Sequence, residues 1–429
     1  MVSTSEDLRA RGLVHQVTDE ALYDLLDAGG LTAYIGFDPT ADSLHVGNLL
    51  QLCTLRRLQL GGHRPIALAG GGTGMIGDPG GKDAERPLLS AEALDANVAS
   101  IRLQLARFLD FEESAGPAQA LLLDNAQWLG ELRLLEFLRE TGKHFTVNQM
   151  VAKESVRARL ERPDQGISYT EFSYMLLQAY DFLRLNQDHG CTLQLGGSDQ
   201  WGNITMGVEL VKKRAGAQAF GLTTPLVTKA DGTKFGKSTG GNERVWLDRS
   251  KTSPFALYQF FLQSEDAVVG AYLRFFTFLA LDELDELDRL TAERPQLRSA
   301  QRALAASVVD LVHGIADRQA AEEASEALFG GSLSTLEEST FVEATAEVPT
   351  IRVDSAALAA GISLIDLLAE VGLVASKGEA RRVIDQRGAF VNDQVREGLD
   401  ATVDSRDLIH HRFVVLRKGK RSYALVSIA

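Results

Sequence analysis

Short apolar runs and helix-like spacings alternate along the first half of the chain. Mostly apolar runs, each long enough for a buried strand, occur at residues 34–37, 66–69, 120–123 and 191–195. Between the first two runs, Leu49, Leu52 and Leu55 recur at the spacing of one helix face, and Gly61 ends the predicted helix. Because strands that alternate with helices form parallel sheets, the pattern predicts an α/β fold with a Rossmann-like parallel sheet.

The pattern changes twice towards the C terminus. Residues 254–329 show only helical spacing, and between 330 and 354 the periodicity lapses into acidic, Ser and Thr residues. Short alternating segments then predict strands of a small α+β domain. We therefore expect a Rossmann-like catalytic domain, an α-helical domain, a linker and a small C-terminal domain, at residues 1–245, 246–330, 331–360 and 361–429 respectively.

Length and composition fit a globular protein with more than one core. The 429 residues are 45% hydrophobic and 24% charged. No apolar stretch approaches the roughly 20 residues needed to cross a bilayer, and the polar start lacks the apolar core of a signal peptide. We therefore expect a cytoplasmic protein. Its two cysteines, Cys53 and Cys191, lie in apolar stretches and indicate neither a disulfide framework nor a zinc site.

The charge is unevenly distributed along the chain. The formal net charge is −14, yet residues 361–429 contain 11 Lys and Arg against 9 Asp and Glu. The remaining chain therefore has 33 basic against 49 acidic residues. This balance argues against nonspecific coating of nucleic acid and favours contact with a polyanion through the C-terminal segment.

A polar, glycine-containing turn follows the first predicted strand. Amides at the start of the next helix can hold phosphate oxygens, and a residue as small as Gly47 lets a nucleotide base approach the backbone. The tetrapeptide His45-Val46-Gly47-Asn48 resembles the HIGH signature of class I aminoacyl-tRNA synthetases. Taken alone, it is equally consistent with an ordinary strand-to-helix loop that contains a structural histidine.

A second charged motif lies near the end of the predicted α/β domain. The sequence Lys234-Phe235-Gly236-Lys237-Ser238 resembles the KMSKS loop of the same enzyme class. Two lysines three residues apart are suited to the charge of a departing pyrophosphate, although such a run alone is more often a solvated basic turn. Together with the first motif, in the expected order, it favours an enzyme that acts on ATP.

One predicted helix keeps polar side chains on an apolar face. Tyr174, Gln178 and Asp181 are spaced i, i+4, i+7 and therefore share a face. Buried polar groups need partners, which a polar ligand could supply. The alternative is a hydrogen-bond network satisfied within the protein.

The C-terminal segment combines a basic helix with a basic hairpin. The helix carries Lys377, Arg381 and Arg382, and the hairpin turn spans residues 417–421. This combination resembles the S4 RNA-binding domain. The expected RNA-binding residues are Lys377, Arg381, Arg382, Lys418, Lys420 and Arg421.

These motifs lie in a chain that resembles, over its whole length, the bacterial tyrosyl-tRNA synthetases. The most specific segments lie at 142–148, 168–175 and 196–203, together with the lysine loop. The resemblance implies a tyrosine–tRNA ligase that first converts tyrosine and ATP into tyrosyl-adenylate and pyrophosphate. It then transfers tyrosine to the terminal adenosine of tRNA(Tyr), releasing AMP. The resemblance also implies Mg²⁺ on the pyrophosphate, no covalent enzyme nucleophile and a homodimer.

Site residues are carried over from this resemblance position by position. The residues implied to bind tyrosine are Tyr34 and Asp181 at the phenol, Asp78, Tyr174 and Gln178 at the ammonium, and Gln200 at the carboxylate. Those implied to bind ATP are Gly36, Asp38, Thr40, His45, Gly47, Asn48, Gly197, Asp199, Lys234, Lys237 and Ser238. Those implied to take part in catalysis are Thr40, His45, Lys82, Arg86, Lys234 and Lys237.

The signatures also differ from those of the class. Asn48 replaces the final histidine of HIGH, and Phe235-Gly236 replaces Met-Ser of KMSKS. Both lysines and the first histidine remain, so we expect activity to be kept.

Three other functions are weighed against this one. A nucleotidyltransferase that needs no RNA is disfavoured by the basic C-terminal segment, and an RNA-binding protein without catalysis is disfavoured by the intact motifs. A tryptophan-specific relative is disfavoured by the pair Tyr34 and Asp181, because an indole needs only one partner.

Overall fold

The computed structural model describes most of the chain. The described residues are 2–78, 89–153, 156–157, 160, 166–233, 235–236, 244–328, 332–346, 348–419 and 422–428. The chain divides into two compact units. Unit 1 combines Met1–Thr252 with Ser264–Val312, and unit 2 combines Ser253–Gln263 with His313–Ala429.

Unit 1 is built on a six-stranded sheet in the order β1-β6-β5-β2-β3-β4. Its strands are β1 (Gln16–Val17), β2 (Thr32–Phe37), β3 (Arg64–Ala69), β4 (Leu121–Asp124), β5 (Cys191–Gly197) and β6 (Phe220–Thr224). Strands β2 to β6 pair in parallel, and β1 joins β6 in antiparallel orientation. The predicted α/β fold with a mostly parallel sheet is therefore confirmed.

The helices separate these strands and continue beyond them. They are α1 (Thr4–Ala10), α2 (Leu22–Ala28), α3 (Leu49–Leu60), α4 (Ala91–Phe108), α5 (Ala126–Leu129), α6 (Leu134–Glu140), α7 (Val147–Val151), α8 (Tyr169–His189), α9 (Trp201–Ala215), α10 (Pro254–Leu262), α11 (Asp266–Phe276), α12 (Leu281–Glu293), α13 (Ser299–His313), α14 (Ile315–Leu328), α15 (Glu338–Ala344), α16 (Ser355–Ala360), α17 (Leu364–Glu370) and α18 (Lys377–Asp385). In the described part of the chain, no helix is long and apolar enough to cross a membrane.

Helices α8 and α9 pack on each other and contact the centre of the sheet. Their apolar side chains form a cluster with β2 and β3 that includes Tyr34, Ile66, Met175, Phe182 and Met206, all buried. Because parallel strands are covered on both faces, such strands appear as continuous apolar runs in the sequence. This is why the apolar runs predicted β2, β3, β4 and β5, whereas β1 and β6 were not predicted.

Unit 2 contains a five-stranded sheet in the order β10-β9-β12-β13-β7, and a two-stranded sheet of β8 and β11. These strands are β7 (Thr350–Val353), β8 (Ile362–Ser363), β9 (Ala389–Val391), β10 (Gln394–Val395), β11 (Thr402–Val403), β12 (Phe413–Lys418) and β13 (Ser422–Ile428). Side chains alternate along β12. Val414 and Leu416 join one apolar cluster with α17 and α18, whereas Phe413 and Val415 join another with α10, α14 and α15.

The division into units differs from the expected domain boundaries. Residues 331–360, which we expected to form a linker, include α15, β7 and α16, and β7 pairs in parallel with β13. The helical stretch at 246–330 is shared, because α10 and α14 belong to unit 2 and α11 and α12 to unit 1. Helix α10 contributes Phe255 to the second apolar cluster of unit 2, which explains its assignment to that unit.

Candidate active site

The candidate site lies at the carboxyl edge of the sheet in unit 1. Chain segments leave β2, β3, β4 and β5 at this edge and contain Asp38, Thr73, Asn125 and Gln200, respectively. The strand order reverses between β2 and β5, because β3 and β4 lie on one side of β2, and β5 and β6 on the other. Open α/β sheets bind their ligands at such a reversal.

Tyr34 lies in β2, inside the sheet's apolar cluster. It is 1% exposed, and its ring centroid is 5.3 Å from that of Phe182. Burial, followed by the charge of Asp181, raises the pKa of Tyr34 well above its ordinary value. Among the described residues, nothing forms a hydrogen bond with its hydroxyl group. A buried hydroxyl without a protein partner is suited to a polar ligand atom.

Asp181 in α8 is 2% exposed and accepts two hydrogen bonds. Its Oδ1 accepts from Trp128 Nε1 at 2.7 Å, and its Oδ2 accepts from Asn125 Nδ2 at 2.9 Å. Burial raises the pKa of Asp181 to about 7, and the hydrogen bonds from Asn125 and Trp128 oppose this shift. Asp181 is thus close enough to Tyr34 for its charge to act on the phenol, and two donors hold its carboxylate.

Asn125 and Thr73 connect Asp181 to the next part of the site. Asn125 Oδ1 accepts from the backbone N–H of Gly72 at 2.8 Å, and its Nδ2 donates to Thr73 Oγ1 at 3.0 Å. Thr73 Oγ1 in turn donates to Asp38 Oδ1 at 2.9 Å. The sequence interpretation missed Asn125, Trp128 and Thr73. The signal for Asn125 was its position directly after a predicted strand.

Tyr174 joins this network through a second hydrogen bond to Asp38. Its hydroxyl donates to Asp38 Oδ2 at 3.0 Å, and burial, followed by the charge of Asp38, raises the pKa of Tyr174 well above its ordinary value. Asp38 was expected to bind ATP, and the structure places its side chain beside Tyr174 and Thr73, with the residues expected to hold the amino acid.

A second polar network includes Asp78, Gln178 and Gln200. Gln200 Nε2 donates to Asp78 Oδ2 at 2.6 Å, and Gln178 Nε2 donates to Gln200 Oε1 at 3.3 Å. Asn203, which the sequence interpretation missed, donates to both glutamines. The polar face of α8 is therefore largely satisfied within the protein, as the alternative interpretation of that face required, while the Tyr34 hydroxyl is not.

The turn at His45 is closed by local hydrogen bonds. His45 Nδ1 accepts from the N–H of Gly47 at 3.0 Å, and Asn48 Oδ1 accepts from the N–H of His45 at 3.1 Å. A neutral ring in this arrangement has its proton on Nε2, which can donate to a phosphate oxygen. A Cβ atom at position 47 would lie 2.7 Å from His45 Cε1, so the close contact of the ring requires glycine.

The other residues expected at the nucleotide belong to two regions of the chain: Gly36 and Thr40 lie in and after β2, and Gly197 and Asp199 lie at the end of β5 and after it. Gly36 and Thr40 are exposed, Gly197 is buried and Asp199 is exposed. A Cβ atom at position 197 would lie 2.6 Å from Asp199 Oδ1, so the small residue lets Asp199 fold over the backbone. Lys82, Arg86, Lys234, Lys237 and Ser238 lie outside the described residues.

The predicted RNA-binding residues of unit 2 are divided between two environments. Lys377 pairs with Asp366 at 2.9 Å, and Lys418 pairs with Glu379 at 2.7 Å. Arg381 and Arg382 are exposed on α18. Lys420 and Arg421 lie outside the described residues.

Two family models match the chain. Residues 27–330 match the family described as "tRNA synthetases class I (W and Y)", and residues 340–426 match the "Tyrosine--tRNA ligase SYY-like C-terminal domain". The first match covers more than half of the chain, and the second includes β7, in the segment expected to be a linker.

Individual proteins match over similar lengths. A tyrosine–tRNA ligase of Roseiflexus castenholzii is 52% identical over 429 residues, all of both chains. One of Opitutus terrae is 52% identical over 425 residues, 99% of each chain. The crystal structure of a C-terminally truncated mitochondrial tyrosyl-tRNA synthetase of Aspergillus nidulans superposes with a TM-score of 0.68 and 34% identity, covering 77% of this chain and 95% of that one.

Proposed function

Since the chain belongs to the family of class I tRNA synthetases for tryptophan and tyrosine, we propose that it ligates L-tyrosine to tRNA(Tyr). In the first step the tyrosine carboxylate attacks the α-phosphate of ATP, giving tyrosyl-adenylate and pyrophosphate. In the second step the terminal adenosine of the tRNA takes the tyrosyl group and AMP leaves. The observation that carries the choice of tyrosine is the buried pair of Tyr34 and Asp181.

The phenol of the substrate fits between these two groups. The Tyr34 hydroxyl is buried and needs a partner, and the Asp181 carboxylate is held by Asn125 and Trp128 in an orientation that can accept from a phenol. Phenylalanine would leave both polar groups without that partner, at a cost of about 1–3 kcal/mol for each. An indole offers one N–H and satisfies only one of them.

The polar end of tyrosine meets the two networks next to this pair. Asp78, Tyr174 and Gln178 bind the ammonium group, and the carboxylate of Asp38, which accepts from Tyr174, adds negative charge there. Gln200 orients the substrate carboxylate and is itself held by Asp78. The reacting carboxylate is thereby directed towards the His45 turn.

The nucleotide occupies the side of the site formed by the His45 turn and the segment after β5. Its contacts are proposed to be Gly36, Asp38, Thr40, His45, Gly47, Asn48, Gly197, Asp199 and Ser238. Thr40, His45, Lys82, Arg86, Lys234 and Lys237 stabilise charge on the phosphates as pyrophosphate departs. The chain supplies no covalent nucleophile in this mechanism, and the rate arises from positioning and electrostatic stabilisation.

Mg²⁺ is proposed to accompany ATP and pyrophosphate, where it would neutralise phosphate charge. Among the described residues, no group of three or more His, Cys, Asp or Glu side chains could hold a metal ion. Mg²⁺ commonly binds through substrate phosphates and water with one or two carboxylates, and this is the arrangement we propose.

The C-terminal unit is proposed to bind the tRNA. Lys377, Arg381, Arg382, Lys418, Lys420 and Arg421 supply the positive charge for phosphate contacts, which set position more than sequence choice. Since Lys377 and Lys418 have acidic partners, Arg381 and Arg382 are expected to contribute most. Because its substrates are tRNA and ATP, we place the enzyme in the cytoplasm.

A homodimer is proposed from an exposed apolar surface on α6 and α7. Leu134, Leu135 and Leu138 on α6 are 70%, 80% and 41% exposed, and Val147 on α7 is 64% exposed. Large apolar patches on a protein surface mark interaction sites, and a second copy of the chain is the occupant we propose. Light scattering of the wild type and of Leu135→Glu tests this, with a monomeric variant and a dimeric wild type expected.

The deciding experiment is ATP–pyrophosphate exchange with each of the twenty amino acids, followed by charging of tRNA. Exchange with tyrosine alone and tyrosine-dependent charging of tRNA(Tyr) are expected. Exchange with tryptophan in place of tyrosine would refute the choice of substrate. Exchange without charging would refute the tRNA step and favour a nucleotidyltransferase that needs no RNA.

A further inference from the structure

Phe235, which lies between the two lysines of the lysine loop, is held by two aromatic side chains of α11. It is 8% exposed. Its ring centroid is 4.9 Å from that of Tyr272 and 5.6 Å from that of Phe276, and it stacks on Phe276 with an interplanar angle of 23°. Aromatic pairs at such distances stabilise each other beyond the effect of the area that they bury.

The aromatic pocket is itself fixed in place. Tyr272 donates from its hydroxyl to the carbonyl oxygen of Thr228 at 2.7 Å, which connects α11 to the segment that leads into the lysine loop. The ring centroids of Tyr272 and Phe276 are 5.8 Å apart. Phe235 therefore packs against side chains that are already positioned by contacts of their own.

The end of α11 also holds the helix that begins at the His45 turn. Cys53 Sγ in α3 donates to the carbonyl oxygen of Phe276 at 3.8 Å, and Arg57 in α3 donates to that of Thr277. Helix α3 starts at Leu49, directly after Asn48. The end of α11 is therefore in contact both with Phe235 and with the helix that follows the His45 turn.

Gly236 contacts the His45 turn directly. Its φ is +105°, a conformation that other L-residues rarely adopt, and a Cβ atom there would lie 3.5 Å from Val46 Cγ2. The carbonyl oxygen of Gly236 accepts from the N–H of Val245 at 3.2 Å, and the carbonyl oxygen of Val245 accepts from the N–H of Val46 at 3.0 Å. The backbone between the two lysines is thus set against the turn that is proposed to hold the phosphates.

We propose that Phe235 is a positioning residue for the two lysines, acting through its packing on Tyr272 and Phe276. Lys234 is bonded to Phe235, and Lys237 to Gly236, so a change in the packing of Phe235 acts on the segment that carries both lysines. The inference rests on the proposed function, since it concerns lysines assigned to the pyrophosphate. It also explains the departure from KMSKS, because Phe fills the aromatic pocket and Gly adopts the φ of +105°.

The first test measures the rate of adenylate formation in a single turnover, the KM for ATP, and the dissociation constant for tyrosine. Phe235→Ala is expected to slow adenylate formation about 10- to 100-fold, the range that loss of correct positioning produces, with tyrosine binding unchanged. Phe235→Met, which restores a large apolar side chain, is expected to recover the rate to within about threefold. Phe255→Ala is the matched control, since Phe255 is 9% exposed and packs in an apolar cluster of unit 2 that does not include Phe235.

The second test addresses the pocket rather than the loop. Phe276→Leu should slow adenylate formation in the wild type but have little further effect in Phe235→Ala, because the two side chains act through one contact. Gly236→Ala, which leaves no cavity and strains the backbone instead, should also slow adenylate formation by about tenfold or more.

The outcomes separate this inference from the proposed function. A wild type without tyrosine-dependent exchange would refute the proposed function, and the inference with it. An active wild type with an unchanged rate in Phe235→Ala or Gly236→Ala would overturn the inference alone. It would also be overturned if Phe235→Ala weakened tyrosine binding as much as it slowed adenylate formation, or if Phe255→Ala slowed adenylate formation equally. A double variant whose loss of rate equals the product of the losses in Phe235→Ala and Phe276→Leu would overturn it as well.

Discussion

The amino-acid end and the nucleotide end of the candidate site are built in different ways. At the amino-acid end, Asp181 and Asn125 are buried and bond through their side chains to residues more than fifty positions away. At the nucleotide end, the bonds of His45 and Asn48 span two or three residues and involve backbone N–H groups, and Gly47 is exposed.

This difference assigns different tasks to the two ends. A buried network that excludes water makes every unpaired polar group costly, and it can therefore discriminate between amino acids that differ by one hydroxyl. An exposed turn with backbone donors can keep its contacts with the phosphates of ATP while their charge and position change during the reaction. Such a turn raises the rate only together with cations, which are the lysines and Mg²⁺ in the proposed mechanism. Substitutions at one end should consequently affect the choice of amino acid, and those at the other the use of ATP.

The largest effect is expected for the lysines of the nucleotide end. Lys234→Ala and Lys237→Ala should each reduce the rate of adenylate formation about 10²- to 10³-fold, because each removes charge that stabilises pyrophosphate in the transition state. The dissociation constant for tyrosine should stay the same. Lys212→Ala, an exposed lysine on α9, is the control, and pre-steady-state adenylate formation is the measurement. A weaker affinity for tyrosine with an unchanged rate would remove these lysines from the pyrophosphate.

The next largest effect is expected for Asp181→Asn at the amino-acid end. The amide turns one acceptor into a donor that faces Trp128 or Asn125, and the phenol of tyrosine loses its charged acceptor. At about 1–3 kcal/mol for each disturbed interaction, the ratio of kcat/KM for tyrosine to that for phenylalanine should fall about 100-fold. Asp188→Asn is the matched control, since Asp188 lies on the same helix and is 40% exposed. An unchanged ratio with a raised KM for ATP would place Asp181 at the nucleotide instead.

The same comparison explains which parts of the site could be predicted from the sequence. Helical periodicity placed Tyr174, Gln178 and Asp181 on one face of α8, and the structure has them there, because the spacing of residues on a helix is fixed. The His45 turn was found because its signature is a continuous segment of four residues. Neither prediction required any knowledge of which strands are neighbours.

The residues that were missed depend on distant parts of the chain. Asn125 and Trp128 reach Asp181 only because β4 lies next to β3 in the sheet. A single polar residue that follows a strand has no periodic pattern by which it could be recognised in the sequence. Residues 331–360 were expected to form a linker because the periodicity lapses there into acidic, Ser and Thr residues, yet β7 pairs in parallel with β13, more than seventy residues away. Parallel pairing over such a separation cannot be derived from local spacing.

The pH dependence of tyrosine activation follows from the burial of Asp181. Since its pKa is raised to about 7, the carboxylate that accepts from the phenol becomes protonated below that pH. We expect kcat/KM for tyrosine to fall by about tenfold per pH unit well below pH 7, and kcat/KM for phenylalanine to change little, because it has no phenol to bind. Trp128→Phe removes one hydrogen bond that lowers this pKa, so the midpoint should move to higher pH.

The stability of the protein without substrate should change with pH in the opposite direction to kcat/KM for tyrosine. The folded chain retains the proton of Asp181 up to about pH 7, whereas the unfolded chain releases it near pH 4, so this group's contribution to stability is complete below that lower value and is lost as the pH rises to 7. The difference in free energy of unfolding between wild type and Asp181→Asn should therefore shrink by at most about 1.4 kcal/mol per pH unit over this range. Urea unfolding at several pH values measures it, and a difference that grew with pH would contradict the burial argument.

The smallest effect is expected for Asn48, where the chain departs from the class signature. Its Oδ1 accepts from the N–H of His45, and the Nδ1 of a histidine at this position would lie at a similar distance along the side chain and could accept the same bond. Asn48→His should therefore change the KM for ATP by less than about threefold. Asn48→Ala removes the bond and should raise this KM about fivefold, corresponding to the roughly 1 kcal/mol of a lost cap. Both variants should bind tyrosine like the wild type, because the hydrogen bonds between His45, Gly47 and Asn48 do not involve the residues assigned to tyrosine. If Asn48→His raised the KM for ATP more than Asn48→Ala did, the amide itself would have to contact the nucleotide. The nucleotide end would then resemble the amino-acid end more closely than its hydrogen bonds indicate.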